Sequence, residues 1–486
     1  MFPTATRLAG LGVVAAVAVI LPVPTAQAAP APDWQPCSKV ANGWPDKDDT
    51  TTECAELRVP LDYGEPDGRQ TTIAISRRKA SDPAKRRGAI FLSPGGPGLP
   101  NITAPRDNTD RRFGVLNTEY DFLGMDPRGT GHSEKHPCAA GEFPPPPPNA
   151  TRKEREKVAF DHQAQVNKRC FATDPEFYRQ LTPSNVARDL DRVREAVGER
   201  KLGFYGVSFG TTIGQRYRAL FDSRVDRMWL DSGMPPTLDH AYLDESMDVQ
   251  AQNSFRGFTA WLADRDREYH FGRTPEAVRT ALFALREELT RNPRVVGEVR
   301  LDGDWVRDRF APAPSGFPAN AGDLATARDG GTPAMAAEVP APGNRPVFGL
   351  GDPRGGMEAR QYDAMLCNEG IGGSDFDTVW ATVAQREQRY PGVGGGYLTY
   401  YCAGWPVPQR SWQPVRGESP LQSSGHRDES TTPHPWTVAT RDAVGGGLLT
   451  VLDGAHGSLS RLPCVAKVVD FFHTGRTVNT TCPGVQ

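Results

Sequence analysis

Apolar positions along this chain follow two rhythms. Gly88-Ala-Ile-Phe-Leu-Ser93, Tyr120-Asp-Phe-Leu-Gly-Met125, the run from Lys201 to Val207, Arg224 to Leu230 and Gly447 to Leu452 are short and nearly continuous, as in strands buried on both faces. Val186, Leu190, Val193 and Val197 instead recur at helical spacing, opened by Thr182-Pro183 and closed by Gly198. Ile213, Tyr217 and Leu220 continue the same period directly after the Lys201 run. Near the start, Glu56–Pro60 and Thr71–Ser76 flank the turn-rich Asp62–Gly68 and read as an antiparallel pair. Strands alternating with helices in this way predict an α/β fold with a mostly parallel, doubly wound sheet. Such sheets bind ligands at the carboxyl ends of their strands.

From Leu238 the rhythm changes to helices, for example Val278, Leu282, Leu285 and Leu289 within Pro275–Thr290, and later Asp363–Glu369 and Phe376–Arg389. Residues 310–346 are rich in Pro, Gly and Ala, and strand signals resume only near Leu421. We therefore expect a core from residues 29–237 and 416–486, with 238–415 inserted as a mainly helical cap or, alternatively, a separate domain. The polar stretch from Cys138 to Cys170, with its Pro144–Pro148 run, reads as a surface loop. Asp352-Pro-Arg-Gly355 follows no strand and reads as a turn.

Composition alters this picture in three places. Residues 1–28 hold Arg7, an apolar stretch from Leu8 to Val23 and an A-x-A site ending at Ala28, the pattern of a signal peptide. That stretch is short for a membrane span, so a secreted, extracellular protein without membrane attachment is expected. The formal charge of -3 makes no electrostatic case for nucleic acid, and the basic cluster at Arg77–Arg87 is broken by Ser81-Asp82-Pro83. Eight cysteines in an exported chain suggest four disulfides, and pairing sequence neighbours joins Cys37–Cys54, Cys138–Cys170, Cys367–Cys402 and Cys464–Cys482. Spacing alone does not determine that connectivity. Without C-x-x-C spacing there is no signal for zinc or a redox dithiol, so no metal and no cofactor are expected, and a monomer is assumed.

The chemistry gathers where strands end. Gly206-Val-Ser-Phe-Gly210 is a G-x-S-x-G pattern placed between a strand and a helix, where glycines allow a turn tight enough to lift Ser208 above the sheet. In a chain with 50 glycines the pattern alone arises by chance in roughly one protein in four, so its context carries the weight. Gly95-Gly96 follows the Gly88–Ser93 strand and exposes backbone N–H groups. With the N–H of Phe209, that of Gly96 would form an oxyanion hole. After Leu421–Gly425 stand two candidate carboxylates, Asp428 and Glu429, and after Gly447–Leu452 comes Gly454-Ala-His456-Gly457. A serine needs a base to become nucleophilic, and the base needs a carboxylate to fix its tautomer, which gives the order Ser208, Asp428 or Glu429, His456.

These residues resemble an α/β-hydrolase of the proline iminopeptidase type, and within it the secreted bacterial tripeptidyl aminopeptidases. The likeness rests on Gly95-Gly-Pro-Gly98, Gly124-Met-Asp-Pro-Arg-Gly-Thr-Gly-His-Ser133, Gly206–Gly210, the Val225–Gly233 strand, Gly454-Ala-His456 and the Cys464–Cys482 tail. It implies a serine exopeptidase acting on peptides with a free N-terminus. Gly-x-x-Asp counted from Gly425 selects Asp428 and acid-x-x-Thr-Pro counted back from Thr432-Pro433 selects Glu429; Glu429 is favoured, because the Thr-Pro turn follows it at the family's spacing. A free N-terminus calls for a carboxylate in the cap, and Glu369, beside Cys367, is the candidate. A carboxylesterase or lipase on the same fold is the alternative, and a non-catalytic binding protein is disfavoured because every catalytic position is filled.

Overall fold

The structure is a computed structural model, and it describes residues 31–147, 150–297, 299–310, 314–334, 357–396 and 398–485. The signal peptide, the Asp352–Gly355 turn and residues 311–313 and 335–346 of the Pro/Gly/Ala-rich stretch therefore lie outside the described residues. The first part of the chain contributes strands β1 (Gln35–Pro36), β2 (Thr52–Pro60), β3 (Gln70–Arg78), β4 (Gly88–Ser93), β5 (Tyr120–Met125), β6 (Leu202–Val207) and β7 (Val225–Asp231). Four short strands follow between β7 and the last part of the core: β8 (Leu238–Asp239), β9 (Arg294–Val296), β10 (Val299–Leu301) and β11 (Gly370–Ile371). The last part supplies β12 (Leu421–His426), β13 (Gly447–Leu452) and β14 (Asn479–Pro483).

Ten of these strands form one sheet in the order β1-β2-β3-β5-β4-β6-β7-β12-β13-β14. β1, β2, β3 and β5 pair antiparallel, and from β5 to β14 every pairing is parallel. Continuous apolar runs are required here because successive side chains point to opposite faces and both faces are covered. Phe91, Phe204, Met228 and Leu230 face a core shared with Val186, Leu190 and Val193 of the Pro183–Ala196 helix and with Ile213 and Tyr217 of the Phe209–Phe221 helix. Ile90, Leu92, Tyr205 and Trp229 face the other layer, built on Phe113, Leu459, Val468 and Phe471. The Pro183–Ala196 helix starts where Thr182 Oγ1 accepts the Asn185 N–H at 3.0 Å, with proline at its first position.

The α/β class and the mostly parallel sheet agree with the sequence pattern, but four local features do not follow from it. Residues 152–173, expected within a loop, form a helix of 22 residues. Its apolar positions are sparse, and the overlooked signal is a capping box in which Thr151 and Glu154 satisfy each other's N–H groups. Residues 238–415 also carry a small β9–β10 hairpin and a two-residue parallel pairing of β8 with β11. β14, with only Cys482 buried, adds an unforeseen parallel edge strand.

The arginine of Asp126-Pro-Arg128 is buried and grips Asp189 with two bonds of 2.7 Å, while donating to the carbonyls of Pro60, Leu61 and Gln180. Asp126 receives the N–H groups of Asn101 and Ile102 at 2.5 and 2.9 Å and that of His132 at 2.8 Å, so it anchors the segment after the glycine loop. All four neighbour disulfides form. They close loops of 17 to 35 residues, so reduction should lower Tm substantially, each bridge contributing roughly 2–4 kcal/mol. Thiol titration of the denatured, unreduced protein is expected to find none, and several reactive thiols would contradict that result. Among the described residues no helix is long and apolar enough to cross a membrane.

Candidate active site

Ser208 stands between β6 and the Phe209–Phe221 helix with φ 57° and ψ -130°, in the left-handed half of backbone space that a side chain rarely occupies. Such a residue stores about 1–3 kcal/mol of strain, which the surroundings must hold in place. They do so through the Ser208 N–H, which donates to the Asp231 carbonyl at 3.0 Å, and through the flanking glycines. A Cβ at Gly206 would sit 2.9 Å from the Gly210 carbonyl oxygen, and one at Gly210 would run into the Ser93 carbonyl. The motif's glycines thus exist because β4, β6 and the helix converge there.

Gly95 and Gly96 have φ values of +113° and +112°, and a Cβ on Gly95 would meet Ser208 Cβ at 2.8 Å and the Phe209 nitrogen at 3.2 Å. The glycine loop therefore lies directly against the elbow. Neither the Gly96 nor the Phe209 N–H has an acceptor among the described residues, which leaves both donors available to a developing oxyanion. Asn101 supports this loop from behind, its side-chain amide donating to the Leu92 carbonyl at 2.6 Å. The Glu358 N–H reaches the Gly98 carbonyl at 2.9 Å and ties the loop to the Ala359–Asn368 helix.

At the other side of the elbow, β12 and β13 end side by side. His456 Nδ1 lies 2.5 Å from Glu429 Oε1, and Glu429 is buried with 1% of its side chain exposed. The same carboxylate accepts the Thr432 N–H at 3.0 Å and hydroxyl at 2.5 Å, and the Ser232 hydroxyl at 3.0 Å. A carboxylate this well supplied with donors is fixed in orientation. Asp428 faces outward, 57% exposed and paired with Arg427 at 3.0 Å, and makes no contact with His456. Of the two candidate acids the structure brings Glu429 to the histidine and leaves Asp428 aside.

With Nδ1 occupied, His456 turns Nε2 away from Glu429. The next residue, Gly457, lies against the elbow strand, its N–H bonding Ser232 Oγ at 2.9 Å and a Cβ there lying 2.8 Å from Val207 Cγ1. Ser232, which sequence reasoning missed, is itself at φ 50° and links the ends of β7, β12 and β13. Its signal was a position on a small-residue loop at a strand's carboxyl end, as for His456.

Glu369 requires a correction. It follows the Ala359–Asn368 helix, but its carboxylate receives the Ser184 N–H at 2.9 Å and Arg216 Nε at 3.1 Å, and Arg216 is fully buried. Arg216 lies eight residues beyond Ser208 on the elbow helix, which is about 12 Å along the axis. The charge of Glu369 is used to neutralise this guanidinium, so it is not available for a substrate ammonium. Glu369→Gln should cost roughly 3–5 kcal/mol of stability by leaving Arg216 unpaired. KM for peptides should stay unchanged, and chemical denaturation beside steady-state kinetics will separate these outcomes.

A strained serine elbow and a glycine loop on a parallel sheet, with an acid–histidine pair at the neighbouring strand ends, define an α/β hydrolase. Residues 89–345, a little over half of the chain, match the family described as alpha/beta hydrolase fold, and residues 392–482 match that described as TAP-like protein. The chain belongs to the α/β-hydrolase fold family. It is similar to a tripeptidyl aminopeptidase of Streptomyces lividans, 29% identical over 480 residues, covering 92% of this chain and 85% of that one. The serine protease Hip1 of Mycobacterium tuberculosis is 30% identical over 213 residues, 43% of this chain and 41% of that protein. Carboxylesterase B of Mycobacterium tuberculosis is 29% identical over 232 residues, again 43% and 41%.

Proposed function

We propose that this chain is a secreted serine exopeptidase that releases short peptides from substrates with a free N-terminus. The observation that carries the reading is the 2.5 Å contact of His456 with buried Glu429 beside a serine held at φ 57°. Ser208 Oγ attacks the scissile carbonyl while His456 Nε2 takes its proton. The Gly96 and Phe209 N–H groups receive the oxyanion, and the proton passes to the leaving amine. Water, activated by the same histidine, then hydrolyses the acyl-serine. Glu429 holds the ring in the tautomer that leaves Nε2 free to accept.

The likeness to tripeptidyl aminopeptidases over most of both chains supports peptides as substrates. Four disulfides and the signal-like N-terminal sequence support export. For domain organisation, we read residues 29–237 and 416–486 as the core and 238–415 as the cap. An exopeptidase must meet a charged amino terminus, and with Glu369 committed to Arg216 another carboxylate has to do so.

The test is a panel of tri- and dipeptide anilides, free and N-acetylated, beside a nitrophenyl ester. Acetylation is expected to lower kcat/KM about hundredfold, the weight of a lost charge pair of roughly 3 kcal/mol. The carboxylesterase reading, which the third relative favours, predicts turnover of the ester with no peptide hydrolysis.

A further inference from the structure

Behind Glu429 lies a second histidine that acyl transfer leaves unused. His426 ends β12 with its ring fully buried, Nδ1 2.6 Å from Asp453 Oδ1 and Nε2 3.2 Å from Asp231 Oδ1. Both carboxylates are buried and already act as acceptors. Asp231 Oδ1 takes the Ser424 hydroxyl at 2.6 Å, while Asp453 Oδ2 takes the Ser458 hydroxyl and the Val485 N–H, each at 2.9 Å. A neutral imidazole has one N–H and one lone pair, so one ring nitrogen would point its lone pair at a carboxylate oxygen. Only the doubly protonated ring satisfies both contacts.

The strand ends joined by this ring are those that present the catalytic groups. Asp231 at the end of β7 accepts the Ser208 N–H through its carbonyl, and the next residue, Ser232, bonds Glu429. Glu429 follows His426 by three residues, its N–H 3.3 Å from the His426 carbonyl. Asp453 precedes His456 by three, and its Oδ1 accepts the Ala455 N–H at 3.3 Å. We propose that His426 is a positioning residue held as an imidazolium, a fixed cation that ties together the strand ends carrying Ser208, Glu429 and His456. The proposal rests on the acyl-transfer reading for what is being positioned, and on geometry alone for the charge.

Burial by itself would lower the pKa of His426. The Asp231 charge, the bonds to Asp231 and Asp453 and the Glu429 charge outweigh it and push the value up to about 9. The other groups facing the cluster titrate elsewhere. Asp453 is held below the usual carboxylate value despite its burial, by the Val485 N–H and by His426, and the Tyr205 phenol of β6 is pushed well up by burial and by Asp231. His434, on the His434–Val444 helix, is lowered by burial and by the His426 charge. Because the folded value lies above the ordinary 6.5, the tie is complete below that pH and is lost as pH rises through about 9.

Ring ¹⁵N spectra of the intact protein, with His426 assigned by its loss in His426→Gln, are expected to show both nitrogens protonated from about pH 5 to 8. A neutral ring at pH 7 overturns the proposal. In the second arm a fluorophosphonate phosphonylates Ser208, with fluoride as the leaving group, in wild type and in folded H426Q. The variant should react about tenfold more slowly or worse, with KM for a nitrophenyl ester changed less than about threefold. The wild-type labelling rate should decline above about pH 9, a limb the variant lacks. A folded variant labelled at the wild-type rate overturns the positioning role. Should H426Q fail to fold, the wild-type limb decides, and a rate flat to about pH 10 overturns the proposal. Absence of any Ser208 labelling in wild type would instead remove the acyl-transfer reading, while the ring spectra still report the charge.

Discussion

Ser208→Ala is expected to lower kcat by about 10⁶-fold, to a residue set by the oxyanion donors and substrate binding alone, because serine, histidine and acid act as a unit. The elbow makes the expectation specific. Ser208 occupies φ 57° with its amide held by the Asp231 carbonyl and the Gly95 loop against its Cβ, so no neighbouring hydroxyl can take its place. Alanine fits the same backbone, so folding and Tm should be close to wild type, and His456→Ala should lose a comparable factor. The check is steady-state hydrolysis of a free tripeptide anilide by purified protein, with circular dichroism to confirm the fold. More than about a tenth of wild-type activity in Ser208→Ala would remove the serine from its role.

Glu429→Gln should lower kcat by about 10⁴-fold while Asp428→Asn changes it less than about twofold. The substituted carboxamide would offer His456 Nδ1 either an amide hydrogen or a neutral oxygen. The first imposes the wrong tautomer and the second fails to stabilise the imidazolium that forms during proton transfer. It would also disturb the Thr432 and Ser232 bonds that hold the side chain. Asp428, exposed and paired with Arg427, loses a surface contact worth little. The same anilide assay on both variants separates the two, and a larger loss in Asp428→Asn would transfer the role.

The site was legible in unequal measure. Ser208 and His456 stand out because their chemistry is written in contiguous residues: glycines that permit a tight turn, and a strand that delivers it. Glu429 and Asp428 are adjacent, and counting from either side of the turn selects a different one. The choice depends on how the turn after β12 folds, which is set by Thr432 and Ser232 capturing the carboxylate. Glu369 looked suitable because it sits in the insertion beside a cysteine that does form its disulfide. Nothing local announced that Arg216, 153 residues earlier, would claim it. Likewise the partners of His426 come from the end of β7 and the residue just after β13, 195 and 27 residues away.

By itself the sequence determined the class of fold, the central strands and the position of the serine elbow, because period, strand length and turn glycines are local properties of a chain. The β14 edge strand, the loss of Glu369 to Arg216 and the His426 tie were decided only by tertiary structure. The reason is electrostatic as much as steric. A buried charge must find a partner wherever the fold brings one, and that partner can lie at any distance along the chain.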